Sequence, residues 1–419
     1  MIVRHLKTSA SNGSLWFSIS SAIPAVVSIL LGPLILKKVG LEEYGVLSLA
    51  AYYLLLVATY SDFGGYSHLL IAFSKKTPER YADVAHVFML RAILLALFFL
   101  TLEVFVFWKP RSDLVYSFLG ISMVGLMLPS TNFEWYFMAR KRYFHIFLVR
   151  VWLNGCLIAL MLFWFFSESK NPTFVPIINV AAASTASLAL LWLLGIDRVY
   201  NGICCLTKVS FAGIGRFFLK LFPLAASQLL TPYFLAYALV WFSETTSDRK
   251  LIGAFSIGYR MTMGFSALVG PFVLYAMPRF AVPGSAISFR KMLGLSVLVV
   301  CVFWCLGLPV LWIYFHVSKV DPGMFSYTLR IFSILMLAIF FLCLRTPYVA
   351  RWLISGRYMA YFIMLLISCA PVLMLSWIVG GKVSPGSVAW LACLPDFLAT
   401  IIFLGYNRMK ALRVVVLSR

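Results

Sequence analysis

Leu15-Trp16-Phe17-Ser18-Ile19-Ser20-Ser21-Ala22-Ile23-Pro24-Ala25-Val26-Val27-Ser28-Ile29-Leu30-Leu31-Gly32-Pro33-Leu34-Ile35-Leu36 carries no charge over 22 residues. A helix needs ~20 apolar residues to cross a hydrocarbon core of about 30 Å. Arg4 and Lys7 precede the stretch, as they would in a signal peptide. The run is too long for a signal h-region and no small-residue cleavage pattern follows it. It reads as the first spanning helix.

Moving outward, the same pattern recurs. Apolar segments occupy 14–36, 45–72, 85–107, 114–137, 145–166, 174–195, 217–242, 252–277, 290–315, 326–348, 358–379 and 387–406. The interruptions are short, the longest lying between 196 and 216. Composition agrees. Of 419 residues 62% are hydrophobic and 12% charged, against a usual charged share of ~25% in soluble domains. That apolar content, about 260 residues, fills roughly a dozen spans. A soluble enzyme, a disordered chain and a disulfide-stapled secreted domain are excluded.

The net charge of +21 would suggest nucleic acid in a soluble protein. In a membrane protein it reflects insertion, because Lys and Arg collect on cytoplasmic loops. With the N-terminus inside, twelve spans place 23 basic residues on cytoplasmic segments and nine on outer loops. The bias persists in both halves, so both termini are expected to be cytoplasmic and no nucleic-acid partner is expected. The eight Cys lie mostly in apolar runs, with no Cys-x-x-Cys pair and no His at zinc spacing, so neither metal nor other cofactor is expected.

An internal repeat is visible at an offset of 208. Pro24 aligns with Pro232. Gly45 and Ser48 of Tyr44-Gly45-Val46-Leu47-Ser48 align with Gly253 and Ser256 of Ile252-Gly253-Ala254-Phe255-Ser256. An even number of spans per half makes the halves parallel, related by an axis along the membrane normal. The expected architecture is all-α: twelve transmembrane helices in two parallel-related six-helix bundles, 1–207 and 208–419, around a central cavity.

Ionisable groups inside a bilayer cost ~2.5–3.5 kcal/mol each on insertion scales and so face a cavity or a partner. The candidates are Asp62, Arg91, Glu103, Glu134, Arg260, Arg330 and Asp396. Arg91 and Arg330 lie near helix ends, where they can snorkel. Glu103 is near an outer helix end, and Glu134 is close to Arg140-Lys141-Arg142. Arg260 is eight residues inside the eighth span, about 12 Å deep at 1.5 Å per residue. It either meets a phosphate-bearing substrate or pairs with a buried acid such as Asp62 or Asp396. Asp62 precedes Phe63-Gly64-Gly65, where a bend is expected, and Asp396 follows Pro395, which interrupts a helix ladder. Either carboxylate fits a cation or proton site, or a simple partner for an arginine. The 208–220 segment places Phe211, Ile214, Phe218 and Leu221 at helical spacing with Lys208, Arg216 and Lys220. It reads as an interfacial helix or a plain connector. No Walker, His-Glu-x-x-His or Gly-x-Ser-x-Gly motif occurs, so no catalytic residue is assigned.

Several patches resemble Wzx-type O-antigen flippases of the MATE-like exporter superfamily. Gly40-Leu41-Glu42-Glu43-Tyr44-Gly45-Val46-Leu47-Ser48 is similar to their opening loop, and Ser61-Asp62-Phe63-Gly64 to their Asp-Phe-Gly stretch. Glu134-Trp135-Tyr136-Phe137 resembles the end of their fourth helix, although Met138-Ala139 stands where Gln-Gly is usual. Gly253-Ala254-Phe255-Ser256-Ile257-Gly258-Tyr259-Arg260 resembles their eighth-helix motif, which often closes on a basic residue. The resemblance implies transfer of an undecaprenyl-diphosphate-linked oligosaccharide to the outer leaflet of the bacterial inner membrane. It implies substrate contacts at Arg260, Arg91 and Arg330 and ion coupling at Asp62, Asp396 and Glu134. Membrane lipids, a glycan polymerase and a chain-length regulator are the expected partners. The competing readings are a MATE-type exporter, whose cavity should be acidic, a lipid II flippase, with more cavity arginines and extra helices, and a membrane glycan polymerase, with a large outer loop.

Overall fold

The computed structural model describes residues 12–66, 68–69, 81–108, 113–128, 134–194, 210, 212–219, 221–222, 225–226, 249–280, 289–354, 358–379 and 385–417. Every regular element among them is helical. In order these are α1 (Asn12–Val39), α2 (Leu41–Asp62), α3 (Tyr81–Trp108), α4 (Asp113–Met127), α5 (Glu134–Ala139), α6 (Tyr143–Phe166) and α7 (Phe174–Leu194). They continue as α8 (Arg249–Phe280), α9 (Phe289–Ser318), α10 (Pro322–Ile354), α11 (Tyr358–Val379) and α12 (Pro385–Leu417). Helices this apolar on all sides need protein or lipid around them. Eight among the described residues are long and apolar enough to cross a membrane. The chain is thus an all-helical, multi-pass membrane protein. The expected seventh span, 217–242, and its Pro232 lie largely outside the described residues.

Two of the expected spans are interrupted. The second ends at Asp62 instead of running to 72. Phe63 takes the left-handed conformation (φ 44°, ψ 36°) and donates its N–H to Thr59 O at 3.3 Å. Gly64 follows at φ 74°. Gly65 packs so closely on α3 that a Cβ there would lie 2.5 Å from Val87 Cγ1. The fourth expected span, 114–137, is divided between α4 and α5, so Glu134 opens a new helix instead of closing an old one.

The chain divides into two compact units, Met1–Leu229 and Leu230–Arg419. The helix at 212–219, assigned from sequence to the second half, packs in the first unit. Ile214, Phe217 and Leu221 join one buried cluster with Phe63, Val87 and Trp135. Internally the units follow a common pattern. In the first, α2 packs on α4, α4 on α7 and α6 on α7; in the second, α8 packs on α10, α10 on α12 and α11 on α12. Counted by span, these are second on fourth, fourth on sixth and fifth on sixth. The residues of the 208 offset behave alike: Tyr44, Leu47 and Ser48 are buried, as are Ile252, Phe255 and Ser256.

Close helix contacts rest on small residues. On α8, Ala254 O accepts the Thr328 hydroxyl of α10 at 3.2 Å, and a Cβ on Gly258 would reach Thr328 O at 3.1 Å. In the first unit Lys38 ties α1 to α6. Its Nζ donates to Phe165 O at 3.0 Å and to Ser167 O, beside the Trp164 ring. A cation at the last carbonyls of a helix complements both their lone pairs and the macrodipole.

Candidate functional site

In the first unit, the corner after α2 puts Asp62 and Arg91 into one recess. α2 stops at Asp62 because Phe63 and Gly64 adopt positive φ, and helical backbone resumes at once. The Asp62 carboxylate spans the corner and accepts the Tyr66 N–H at 3.3 and 3.4 Å. Arg91 lies one turn beyond Val87 on α3. It is 6% exposed and donates through one terminal nitrogen to Leu126 O of α4 at 2.6 Å. Its Nε has no hydrogen-bond partner. Asp62, Tyr66, Val87, Phe88, Arg91 and Trp135 line a recess of about 10 Å³, room for about one water.

A second polar group lies against this one. Arg150, eight residues along from Arg142 on α6, holds Glu134 of α5 with two hydrogen bonds of 2.6 Å each. Its third nitrogen donates to Ser21 of α1 at 3.1 Å. One guanidinium therefore fastens three helices, using the planar fork that lysine lacks. Tyr66 bridges the groups: its hydroxyl reaches Met138 S at 2.7 Å, and it feels the charges of Glu134, Arg150 and Asp62.

The second unit holds a matching device in different positions. Arg345 of α10 lies 2.6 Å from Asp396 of α12, with the two side chains 4% and 13% exposed. Asp396 follows Pro395 in a helix that runs on without a break. Thr400 covers the freed backbone, donating to Asp396 O at 2.7 Å and standing 3.2 Å from Phe341 O of α10. Arg260 is half-buried on α8 and Arg330 exposed on α10. Each lies two residues from the contact between those helices, at Gly258 and Thr328, hence about 200° around its own helix.

The residues nominated by sequence therefore fall into separate groups. Asp62 and Arg91 share a recess. Glu134 and Asp396 are each committed to an arginine, so any coupling role for them begins with opening an ion pair. Glu134 pairs with Arg150, not with the 140–142 cluster. Arg150 and Arg345 had counted as cytoplasmic cations; both are helix residues holding carboxylates. A hint was present for each, since Arg150 lies within the expected 145–166 span and Arg345 within 326–348. Glu103 lies on α3. Among the described residues no group of His, Cys, Asp or Glu is placed to hold a metal.

Paired bundles of spanning helices, with charges matched in their interiors and room left beside one pair, define a membrane transporter fold. Solved structures match it along nearly the whole chain. An inward-facing multidrug-resistance MATE-family transporter of the MOP superfamily aligns with a TM-score of 0.59 at 13% identity, covering 95% of this chain and 94% of that one. A MATE transporter in complex with MaL6 gives 0.56 at 13% identity over 95% of each chain. A MOP-superfamily transporter from Pyrococcus furiosus, whose reversed pocket polarity is described as suggesting a different function, gives 0.54 at 13% identity over 95% of each. No protein-family model and no curated protein sequence matches. At this identity the likeness is one of fold, that of the MATE-like MOP transporters.

Proposed function

We propose that the chain is a flippase. It moves an undecaprenyl-diphosphate-linked oligosaccharide, the O-antigen repeat unit, from the inner to the outer leaflet of the bacterial inner membrane by alternating access. The observation that carries this reading is the commitment of interior acids to arginines. Glu134 is held by Arg150, Asp396 by Arg345, and Asp62 shares its recess with Arg91. An exporter of cations needs an acid that is not already matched; a carrier of a diphosphate needs fixed cations. A diphosphate leaving water for a low-dielectric interior must trade its hydration for such donors. The resemblance to Wzx-type flippases in the Asp62, Glu134 and Arg260 patches supports the same substrate. The reversed polarity described for the Pyrococcus furiosus transporter is consistent with a fold that is not confined to cationic cargo.

In this reading Arg260 is the main phosphate contact, with Arg91 and Arg330 as further cations. Asp62 is the first carboxylate for ion coupling, and Glu134 and Asp396 contribute only if their pairs open. Both termini are cytoplasmic, and the partners are membrane lipids, a glycan polymerase and a chain-length regulator. A second reading, a MATE-type ion-coupled exporter, draws on the half-buried Asp62 beside a recess with room for about one water.

Surface display of the glycan in a flippase-deficient strain, with membrane protein levels measured alongside, tests the proposal. The wild-type chain restores display. Arg260→Lys keeps the charge, loses the fork and transports poorly but measurably. Arg260→Ala loses most display at a normal protein level. Near-normal display by a well-expressed Arg260→Ala protein removes Arg260 from the mechanism. Failure of the wild-type chain to restore display, with extrusion of a cationic dye, favours the exporter.

A further inference from the structure

The helix at 212–219 is the last described helix of the first unit, and the chain leads from it toward the second. It is seated on the same corner that carries Asp62. The left-handed turn at Phe63 turns that ring outward onto Phe218, with centroids 4.4 Å apart and planes 12° apart. Phe222 stands against the same ring at 6.4 Å. Phe217 is buried between two histidines of the first unit, His68 at 5.2 Å edge-on and His86 at 5.5 Å nearly parallel. Gly213 lies beneath His86, where a Cβ would come 2.8 Å from Nε2. The helix therefore lacks a bed of its own and rests on the corner and on α3.

The corner is itself controlled from the recess. The Asp62 carboxylate holds it by accepting the Tyr66 N–H across Phe63, Gly64 and Gly65. An ionised carboxylate accepts such a bond more strongly than a neutral amide or acid. Phe63 is not a glycine, so its left-handed backbone persists only while its surroundings impose it. Gly65 is wedged on Val87, one turn from Arg91, whose buried Nε lines the recess without a hydrogen-bond partner. A change at Asp62 or Arg91 is one residue, or one turn, from the surface on which the connecting helix sits.

We propose that the Asp62-Phe63-Gly64 corner is a clasp: it converts the state of the Asp62–Arg91 recess into docking or release of the 212–219 helix. When the recess is reset by an ion or by substrate, the corner relaxes, Phe63 leaves Phe218, and the connector is freed to let the second unit move. The clasp is independent of which substrate is carried, and its test requires no transport.

Hydrogen–deuterium exchange of the full chain in lipid nanodiscs provides that test. Asp62→Asn keeps the shape and removes the charge. It raises exchange of the 212–222 amides at least about fivefold and leaves α10 unchanged. Phe218→Ala produces a similar rise by itself, and adding Asp62→Asn to it contributes little more, as expected for two parts of one contact. Unchanged 212–222 exchange in Asp62→Asn, or increments that simply add in the double variant, overturns the proposal. If Asp62→Asn loosens α10 as well, Phe63→Leu decides, because it leaves the carboxylate in place. A rise confined to 212–222 upholds the clasp, and no rise overturns it.

Discussion

Arg345 and Asp396 show what a single residue contributes here. Two charges taken out of water cost more than their attraction returns unless both stay paired. Removing one partner alone is therefore the costly step. Arg345→Ala leaves the Asp396 carboxylate uncompensated, and the detergent-solubilised protein should lose about 3–5 kcal/mol of stability. Asp396→Asn added to it should recover most of the loss, read as thermal melting and membrane yield. A wild-type melting point for Arg345→Ala would show that the pair holds nothing together. These partners were not legible in the sequence. Arginines near helix ends are indistinguishable from snorkelling ones until packing is known. Glu134 is 16 residues from Arg150, and Arg345 and Asp396 lie on different helices. Asp62 was more legible, since Gly64-Gly65 announces a bend from backbone freedom alone.

At the scale of helices, the apolar runs give existence and order but not interruptions. The end of α4 at Met127 has a visible cause in Pro129-Ser130-Thr131-Asn132, which combines a helix breaker with residues favoured at an N-cap ahead of Glu134. Hydropathy averages over such a break and extends the span through it. The close contacts between helices are invisible for a related reason: a glycine in an apolar run has many uses, and only the neighbour reveals which. Gly307 on α9 is the clearest case. A Cβ there would come 2.3 Å from Phe332 Cζ of α10, and that ring is fully buried. Gly307→Ala should destabilise by about 1–3 kcal/mol through overpacking. Phe332→Leu in the same chain should restore part of it by vacating the ring edge. A melting temperature unmoved by Gly307→Ala would show that α9 and α10 part more readily than their packing implies.

For the whole molecule, the multi-pass character and the doubling of the bundle were readable from composition and the 208 offset. The recurrence of second-on-fourth and fourth-on-sixth packing in both units gives that doubling a structural form. Returning Arg150 and Arg345 to helix interiors leaves 21 cytoplasmic cations against nine outside, so the orientation argument keeps its sign. Single cysteines in place of Asp113, Asp248 and Lys382 should react with an impermeant thiol reagent on intact cells, and those replacing Arg142, Arg279 and Arg413 should not. Labelling of the second set contradicts the twelve-span topology. The substrate was less legible than the topology, because a cation inside a bundle serves an anion and a buried acid equally well, and only geometry separates the two. The most direct test of the flippase reading is transfer in proteoliposomes of the purified chain, using an undecaprenyl-diphosphate-linked oligosaccharide with a fluorescent sugar. Sugar loaded in the inner leaflet should become accessible to an external quencher faster than in protein-free vesicles, and Arg260→Ala should abolish the difference. Equal protection in both kinds of vesicle, while the same proteoliposomes move a cationic dye, would contradict it.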